Sequence, residues 1–248
     1  MRTEPEFNQI HVREAQPPRD QATADLTHAK ASRIVLFDFD GVLVHNDLFG
    51  SFLRNRFIRQ PWRLLPLLLV LPIVISLTMV PLGRRLLVKW MVWLGFLGSP
   101  LASLEPELER WGRHRARLPG VVVRDGILTL RRHEADGDRV IVVTGCDQGL
   151  AHSLLDELAL GDIEIIGSRL RDGWFGATPS RHVIGRRKIT ALADHGIHPP
   201  WAIAYSDSSR DTPMLKGAKE AILVNMDARS TRRIERRLGR KLVRIRWR

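Results

Sequence analysis

Cysteine, early apolar sequence and, over one long stretch, charge are what this 248-residue chain has least of. Cys146 is its single cysteine, which excludes an intramolecular disulfide and any thiolate-held metal cluster and suits a reducing compartment or a membrane facing one. Residues 1–31 are polar, contain proline and lack the apolar centre of a secretory signal. They are expected to form a disordered N-terminal arm. No charged side chain occurs from Leu64 to Gly83, LLPLLLVLPIVISLTMVPLG, in a protein of formal net charge +12. Acids are scarce at the other end: residues 229–248 hold ten Lys and Arg against one Glu, so about +9 of the net charge lies there. Such a segment attracts polyanions, either nucleic acid or anionic lipid headgroups. It reads equally as a solvated basic helix followed by an edge strand.

With 44% hydrophobic residues the chain can bury a core of one α/β domain plus an insertion. The run Ile34 to Phe37 is continuously apolar, the pattern of a strand buried on both faces. Asp38, Asp40 and Gly41 follow at its C-terminal end, where open α/β sheets bind ligands. Two acids at that spacing suit a nucleophile with a general acid/base, or metal ligation, and they suit a turn equally well. DRVIVVTGCD (Asp138–Asp147) reads as a second buried strand ending in Thr144 and Gly145, a hydroxyl and a backbone N–H able to hold a phosphate oxygen. HVIGRRKITAL places Lys188 at the start of a helix, and WAIAYSDSSRDTPML is a third apolar strand carrying Asp207, with Asp211 four residues on. Singly, these are a strand-end cap, a surface lysine and helix N-caps. In this order, each at a strand end or helix start, they point to one site.

The ordered set D-x-D, T, K, D-x-x-x-D resembles the haloacid dehalogenase-like hydrolase superfamily over most of residues 32–248. RLRDGWFGA as a β-hairpin and VNMDARSTRRIERRLGRKL as a closing helix and strand are similar to its phosphoserine phosphatase-like branch. DFDGVLVHNDLFGSFLRNRFIRQP followed by a long apolar run resembles the bacterial lipid phosphatases of the phosphatidylglycerophosphatase C type. Val42 stands where the family most often has Thr.

The resemblance implies a Rossmann-like core, a parallel sheet flanked by helices, over 32–47 and 119–248, with an inserted helical cap over 48–118. It implies an Mg²⁺-dependent phosphomonoesterase. Asp38 would be the nucleophile forming an aspartyl-phosphate, and Asp40 the acid and then the base. Asp38, the Asp40 main-chain carbonyl and Asp207 would hold the metal; Thr144, Gly145 and Lys188 would bind the phosphoryl group; Asp211 would orient Lys188 or a metal-bound water. Asp47 is expected to cap the helix that begins at Leu48, with a leaving-group contact as the alternative.

The apolar run falls inside the cap. Twenty residues at ~1.5 Å rise reach about 30 Å, the thickness of a hydrocarbon core. A single crossing would put the Asp38 strand and the later motifs on opposite sides of the membrane. Arg54, Arg56, Arg59 and Arg63 precede the run and Arg84, Arg85 and Lys89 follow it, so both flanks read as cytoplasmic. Pro66, Pro72 and Pro81 break or kink a helix, and Trp62, Trp90 and Trp93 suit the headgroup level. The expectation is a membrane-inserted hairpin over 64–98 dipping into one leaflet, with 101–118 returning as an amphipathic helix. The substrate expected is a membrane lipid phosphate, phosphatidylglycerophosphate by resemblance. The setting expected is the bacterial inner membrane, with the catalytic domain on its cytoplasmic side against an anionic surface and with no nucleic acid as partner. The alternatives are a phosphatase of a soluble monoester such as phosphoserine and a non-enzymatic, basic polyanion-binding membrane protein.

Overall fold

Continuous apolar runs build the centre of the molecule. The strands are β1 (Ile34–Phe37), β2 (Arg139–Asp147), β3 (Glu164–Gly173), β4 (Gly176–Arg181), β5 (Trp201–Ser206), β6 (Ala218–Val224) and β7 (Val243–Ile245). They form one sheet in the order β4-β3-β2-β1-β5-β6-β7, parallel throughout except for the antiparallel β3–β4 hairpin. The computed structural model describes residues 32–66 and 81–248, with 81–88 described as backbone only. The expected N-terminal arm, residues 1–31, and the greater part of the apolar run, residues 67–80, lie outside the described residues.

The strand order places the site. From β1 the sheet grows through β2 and β3 in one direction and through β5 and β6 in the other. The switch point therefore falls at β1, and ligands bind beyond strand ends at such points. Phe37, the last residue of β1, pairs with Val142 on one side and Tyr205 on the other. The residues following all three strands therefore open onto one crevice.

The helices are α1 (Leu48–Arg59), α2 (Pro81–Phe96), α3 (Leu101–Ala116), α4 (Arg124–Ala135), α5 (Gln148–Glu157), α6 (Arg186–Asp194), α7 (Thr212–Gly217) and α8 (Ala228–Leu238). Alternation along β1 sends Val35 and Phe37 to one face and Leu36 to the other. The first face is covered by α4, α5 and the inserted α1–α3, the second by α6, α7 and α8. At ~25 cal/mol per Å² of apolar surface, these two buried faces supply the main stabilisation of the fold.

The insertion is tied to the core more closely than its greasy sequence suggests. Phe52, Val92, Leu94, Phe96, Leu104 and Leu108 are buried in the same cluster as Val35 and Phe37. This corrects the expected 64–98 hairpin: its last turns, from Val92, face protein. Among the described residues no helix is long and apolar enough to cross a membrane. The arginine flank also needs correction, because Arg56 and Arg63 are buried. Arg56 donates to the Gly95 carbonyl (2.7 Å), to Ser99 Oγ and to Glu107. Arg63 donates to the carbonyls of Leu94 (3.3 Å) and Leu97 and to Ser99 Oγ (3.1 Å). Two guanidiniums thus satisfy the orphan carbonyls at the end of α2, and they clamp the chain before the apolar run to the chain after it. Part of the basic C-terminus is structural as well. Arg240 donates to the carbonyls of Leu215, Ala218 and Lys219, and Arg244 to that of Met226.

Candidate active site

Asp38 continues β1 by one residue, its N–H donating to the Tyr205 carbonyl at 3.0 Å. Its Oδ1 accepts the Phe39 N–H (2.8 Å) and lies 2.7 Å from Lys188 Nζ. The chain then turns sharply, with Leu43 and Val44 donating to the Phe39 carbonyl and Gly41 to that of Val44. Gly41 is required there twice over. Its φ is +79°, which an L side chain rarely adopts, and a Cβ would lie 1.9 Å from Asp207 Oδ2. The Asp207 carboxylate from the end of β5 occupies the space a side chain at Gly41 would need.

The same turn aims Asp40 at the start of α1, where its Oδ1 accepts the Leu48 N–H at 3.0 Å. Asp47 is the N-cap residue of α1, accepting the Gly50 N–H at 2.8 Å, as its place before Leu48 predicts.

Lys188 is the third residue of α6, which starts after Gly185 (φ +58°). Its ammonium sits between two carboxylates, 2.7 Å from Asp38 and 2.6 Å from Asp211. Asp211 Oδ2 also accepts the Ser206 hydroxyl (3.0 Å), and Ser206 Oγ accepts the Ser208 N–H (3.1 Å). Asp211 therefore holds Lys188 in place and does not cap a helix with its side chain. Thr144 is fully buried, and its Oγ1 accepts the Cys146 N–H (2.9 Å), which leaves its hydroxyl proton to donate. At Gly145 a Cβ would come within 2.8 Å of Ile184. Ser168 Oγ donates to the Gly145 carbonyl (2.8 Å) and accepts the Val183 N–H (3.0 Å), fixing the end of β2 against the loop that leads to Lys188.

Burial dominates the electrostatics. Asp38 is 7% exposed and Lys188 3%, so this pair lies at the floor of the crevice, with Asp40 and Asp207 half-buried above it. Burial drives the Asp38 carboxyl well above its usual range; Lys188 opposes this and Asp211 adds to it. Burial works against the Lys188 charge as well, but Asp38 and Asp211 outweigh it and hold the ammonium above its ordinary value. Burial raises Asp211 too, yet Lys188 and the Ser206 hydroxyl prevail, and that carboxyl is lowered. Asp40 is pushed up to about 7 by burial, against the Leu48 N–H. Asp207 is pushed up to about 6, by burial and then by Asp211. Burial keeps the Cys146 thiol protonated, so it is no competing nucleophile.

Asp38, Asp40, Thr144, Gly145, Lys188, Asp207 and Asp211 thus all lie at the carboxyl ends of β1, β2 and β5 or at the helix starts beside them. Ser206 and Ser168 are part of the arrangement and carried no signal of their own, a serine at a strand end being unremarkable. Two surface clefts lie elsewhere. One of about 510 Å³ is walled by Arg229, Arg232, Arg236 and Arg240, and one of about 330 Å³ lies between α3 and α5.

A doubly covered α/β sheet that gathers acids, a lysine and a hydroxyl at its switch point defines a Rossmann-like core of the hydrolase kind. The chain belongs to the haloacid dehalogenase-like hydrolase family, whose model matches residues 35–216. Among solved structures it is similar to a protein of unknown function from Bordetella pertussis Tohama I, at 19% identity over 86% of this chain and 98% of that one, TM-score 0.60. A substrate-bound phosphoserine phosphatase matches at 18% identity over 87% and 93%, TM-score 0.54. A phosphoserine phosphohydrolase-like protein from Francisella tularensis matches at 15% identity over 85% and 94%, TM-score 0.56. At these identities the likeness is one of fold.

Proposed function

We propose that this chain is a phosphomonoesterase whose substrate is a phosphate carried by a membrane lipid, phosphatidylglycerophosphate being the first to test. The observation that carries the chemistry is the Lys188 ammonium between Asp38 and Asp211, with Asp40 two residues from Asp38 and Asp207 against Gly41. A phosphate dianion repels a carboxylate nucleophile, so positive charge must stand beside it before reaction begins. Lys188 provides one such charge.

A hard divalent cation fits the remaining donors. No cluster of three or more acidic, His or Cys side chains suited to a metal occurs among the described residues. The proposed set is two carboxylates and a main-chain carbonyl: Asp38, Asp207 and the carbonyl of Asp40. Asp207 supports the fit. It is pressed against the Asp38–Gly41 turn and has no ion-pair partner among the described residues. All-oxygen ligation suits Mg²⁺, which phosphatases of this family generally use. When bound, the ion would neutralise phosphoryl charge and favour the ionised form of Asp38.

In the first transfer the Asp38 carboxylate attacks phosphorus in line. A P–O bond forms to Asp38, the P–O bond to the alcohol breaks, and Asp40 gives its proton to the leaving alkoxide. In the second, Asp40 takes a proton from water, whose oxygen attacks the aspartyl-phosphate, releasing phosphate and restoring Asp38. The Thr144 hydroxyl and Gly145 N–H grip the phosphoryl oxygens. Asp211, steadied by Ser206, keeps the Lys188 ammonium at Asp38.

The lipid substrate rests on the cap. The apolar run is inserted where it leaves the core and returns to it, and the Arg56 and Arg63 clamps hold its two flanks together at the end of α2. That is the arrangement a hairpin entering and leaving one face of a bilayer needs. On this reading the protein works at the cytoplasmic face of the bacterial inner membrane, and the exposed arginines of 229–248 favour its anionic surface. Phosphate release by detergent-solubilised protein with Mg²⁺ from micellar phosphatidylglycerophosphate, phosphatidate and lysophosphatidate, against soluble phosphoserine, tests it. Preference for phosphoserine would reject the lipid; no release from any of them would reject the phosphatase.

A further inference from the structure

We infer that the tip of the β3–β4 hairpin, Trp174 and Phe175, is a separate contact with the lipid surface, seating both rings at headgroup level beside the end of α2. This rests on the membrane reading of the apolar run and adds a site outside it. Trp174 is 99% exposed and Phe175 65%. They form the two-residue turn between Gly173 and Gly176, which face each other across the hairpin. A tight hairpin needs glycine, asparagine or aspartate at its turn, not aromatics. The flanking glycines supply that freedom here, Gly176 at φ +124°. Neither ring is part of the apolar core, so the pair has no role in folding that the structure shows.

The position of the tip is fixed. Gly98 N–H donates to the Phe175 carbonyl (2.7 Å), Ala177 N–H to that of Ser99 (2.9 Å), and Leu101 N–H to Asp172 Oδ1 (2.7 Å). A Cβ at Gly176 would lie 2.1 Å from the Phe96 carbonyl, so only glycine lets the two segments touch. The tip is thus fastened to the turn that ends α2, where Arg63 also brings the segment preceding the apolar run. That segment exposes Ile58 and Trp62, the start of the run exposes Leu65, and α2 exposes Trp90. Of the eight large hydrophobic side chains exposed among the described residues, these four and the tip make six; only Leu128 and Val243 lie elsewhere. The apolar exposure is therefore concentrated on three stretches joined at the end of α2.

Aromatic composition and nearby charge select a bilayer as the occupant. Tryptophan prefers the headgroup level, where its ring is half in hydrocarbon and its N–H meets water. Arg59 is exposed next to Ile58, and Arg171 is exposed on β3 three residues before Trp174. Cations beside exposed apolar side chains suit an anionic lipid surface.

The test uses the full chain in phosphatidylglycerol vesicles, with an environment-sensitive fluorophore on Trp174→Cys, Leu65→Cys or Asp136→Cys in turn. Cys146 is buried and stays unlabelled. The expected result is blue-shifted emission shielded from aqueous iodide at 174 and 65, and full iodide quenching at 136, an exposed position before the N-terminal end of β2, whereas the tip follows the C-terminal end of the parallel β3. A shielded probe at 65 with a quenched probe at 174 would overturn the hairpin contact alone. Quenching at both would overturn it together with the membrane reading. A shift at 174 that grows with protein concentration without vesicles would assign the tip to a second copy of the chain and overturn the lipid contact. Independently, W174S/F175S should raise KM for vesicle-borne lipid phosphate by about tenfold, with kcat/KM on a soluble monoester unchanged. An unchanged KM would also overturn it.

Discussion

The ammonium of Lys188 meets the carboxylate of Asp38 at 2.7 Å inside a crevice that hides both from water. Asp211 lies on the other side of the same ammonium. One positive charge therefore serves two buried negative ones, and removing it leaves both uncompensated. Lys188→Met should abolish turnover and destabilise the metal-free protein by about 3–5 kcal/mol. The pH dependence identifies the cause. In the variant Asp211 loses the charge that holds it low and rises, and Asp38, already raised by burial, rises further, so stability should increase as pH falls toward their unfolded values near about 4 and decline as pH rises above them. The wild type should behave oppositely at Asp211. Its lowered carboxyl contributes stability above the unfolded pKa, and this is lost as pH falls through the folded value. Thermal unfolding across that range separates the two; parallel profiles would contradict the charge arrangement.

Asp38→Asn should fold and show no turnover, because an amide is a poor nucleophile and cation ligand. Its melting temperature should stay near that of the parent, since Lys188 retains Asp211. Phosphate release near the parental rate would refute the assignment of the nucleophile.

Asp40 offers a sharper test, because its carboxyl is pushed up to about 7. The first transfer needs it protonated only when the leaving group is a poor one. With an alkyl phosphate at saturating Mg²⁺, kcat/KM should fall as pH rises through the Asp40 pKa, which the bound cation draws below its metal-free value of about 7, whereas a nitrophenyl phosphate should escape that decline. Asp40→Asn should cost roughly 10²–10⁴-fold on the alkyl ester and less on the nitrophenyl ester for the first step. Equal losses on both would remove Asp40 from the acid role.

The strand ends were legible because continuous apolar runs followed by Asp, Thr or Asp are strong local signals. Asp47 was legible as a cap from its place before Leu48. Ser206 was not, since its function depends on Asp211 lying opposite, a tertiary fact. Arg56 and Arg63 misled for a related reason. Arginine usually marks a solvated flank, and only the unpaired carbonyls at the end of α2 give these two a reason to be buried. The same applies to Val92, Leu94 and Phe96. An apolar residue beside a membrane-like run reads as lipid-facing until a neighbouring helix is seen to cover it.

Gly41→Ala probes the metal site through the backbone. The new Cβ would displace the Asp207 carboxylate and strain a positive φ. The expected result is a loss of about 1–3 kcal/mol in stability and weaker Mg²⁺ activation, measured as the Mg²⁺ concentration at half-maximal rate. An unchanged Mg²⁺ requirement would exclude Asp207 from the donor set.

Replacing Leu67–Val80 with a glycine–serine segment of equal length separates catalysis from membrane attachment. Every proposed catalytic and phosphate-binding group lies outside that stretch, and so do Val92, Leu94 and Phe96, which complete the core. A wider excision of 64–98 would remove those three residues and the carbonyls that Arg56 and Arg63 occupy, and would unfold the cap for reasons unrelated to lipid. The narrower replacement should leave the melting temperature close to that of the parent, keep hydrolysis of a soluble monoester and lose hydrolysis of lipid phosphate in vesicles. In the intact protein, reporters before Leu48 and after Gly98 should both be accessible from the same side of the membrane, because β1 and β2 pair in one sheet. If the replaced protein still hydrolyses vesicle-borne lipid at the parental rate, the apolar run has no part in substrate access, and the soluble-monoester alternative gains its place.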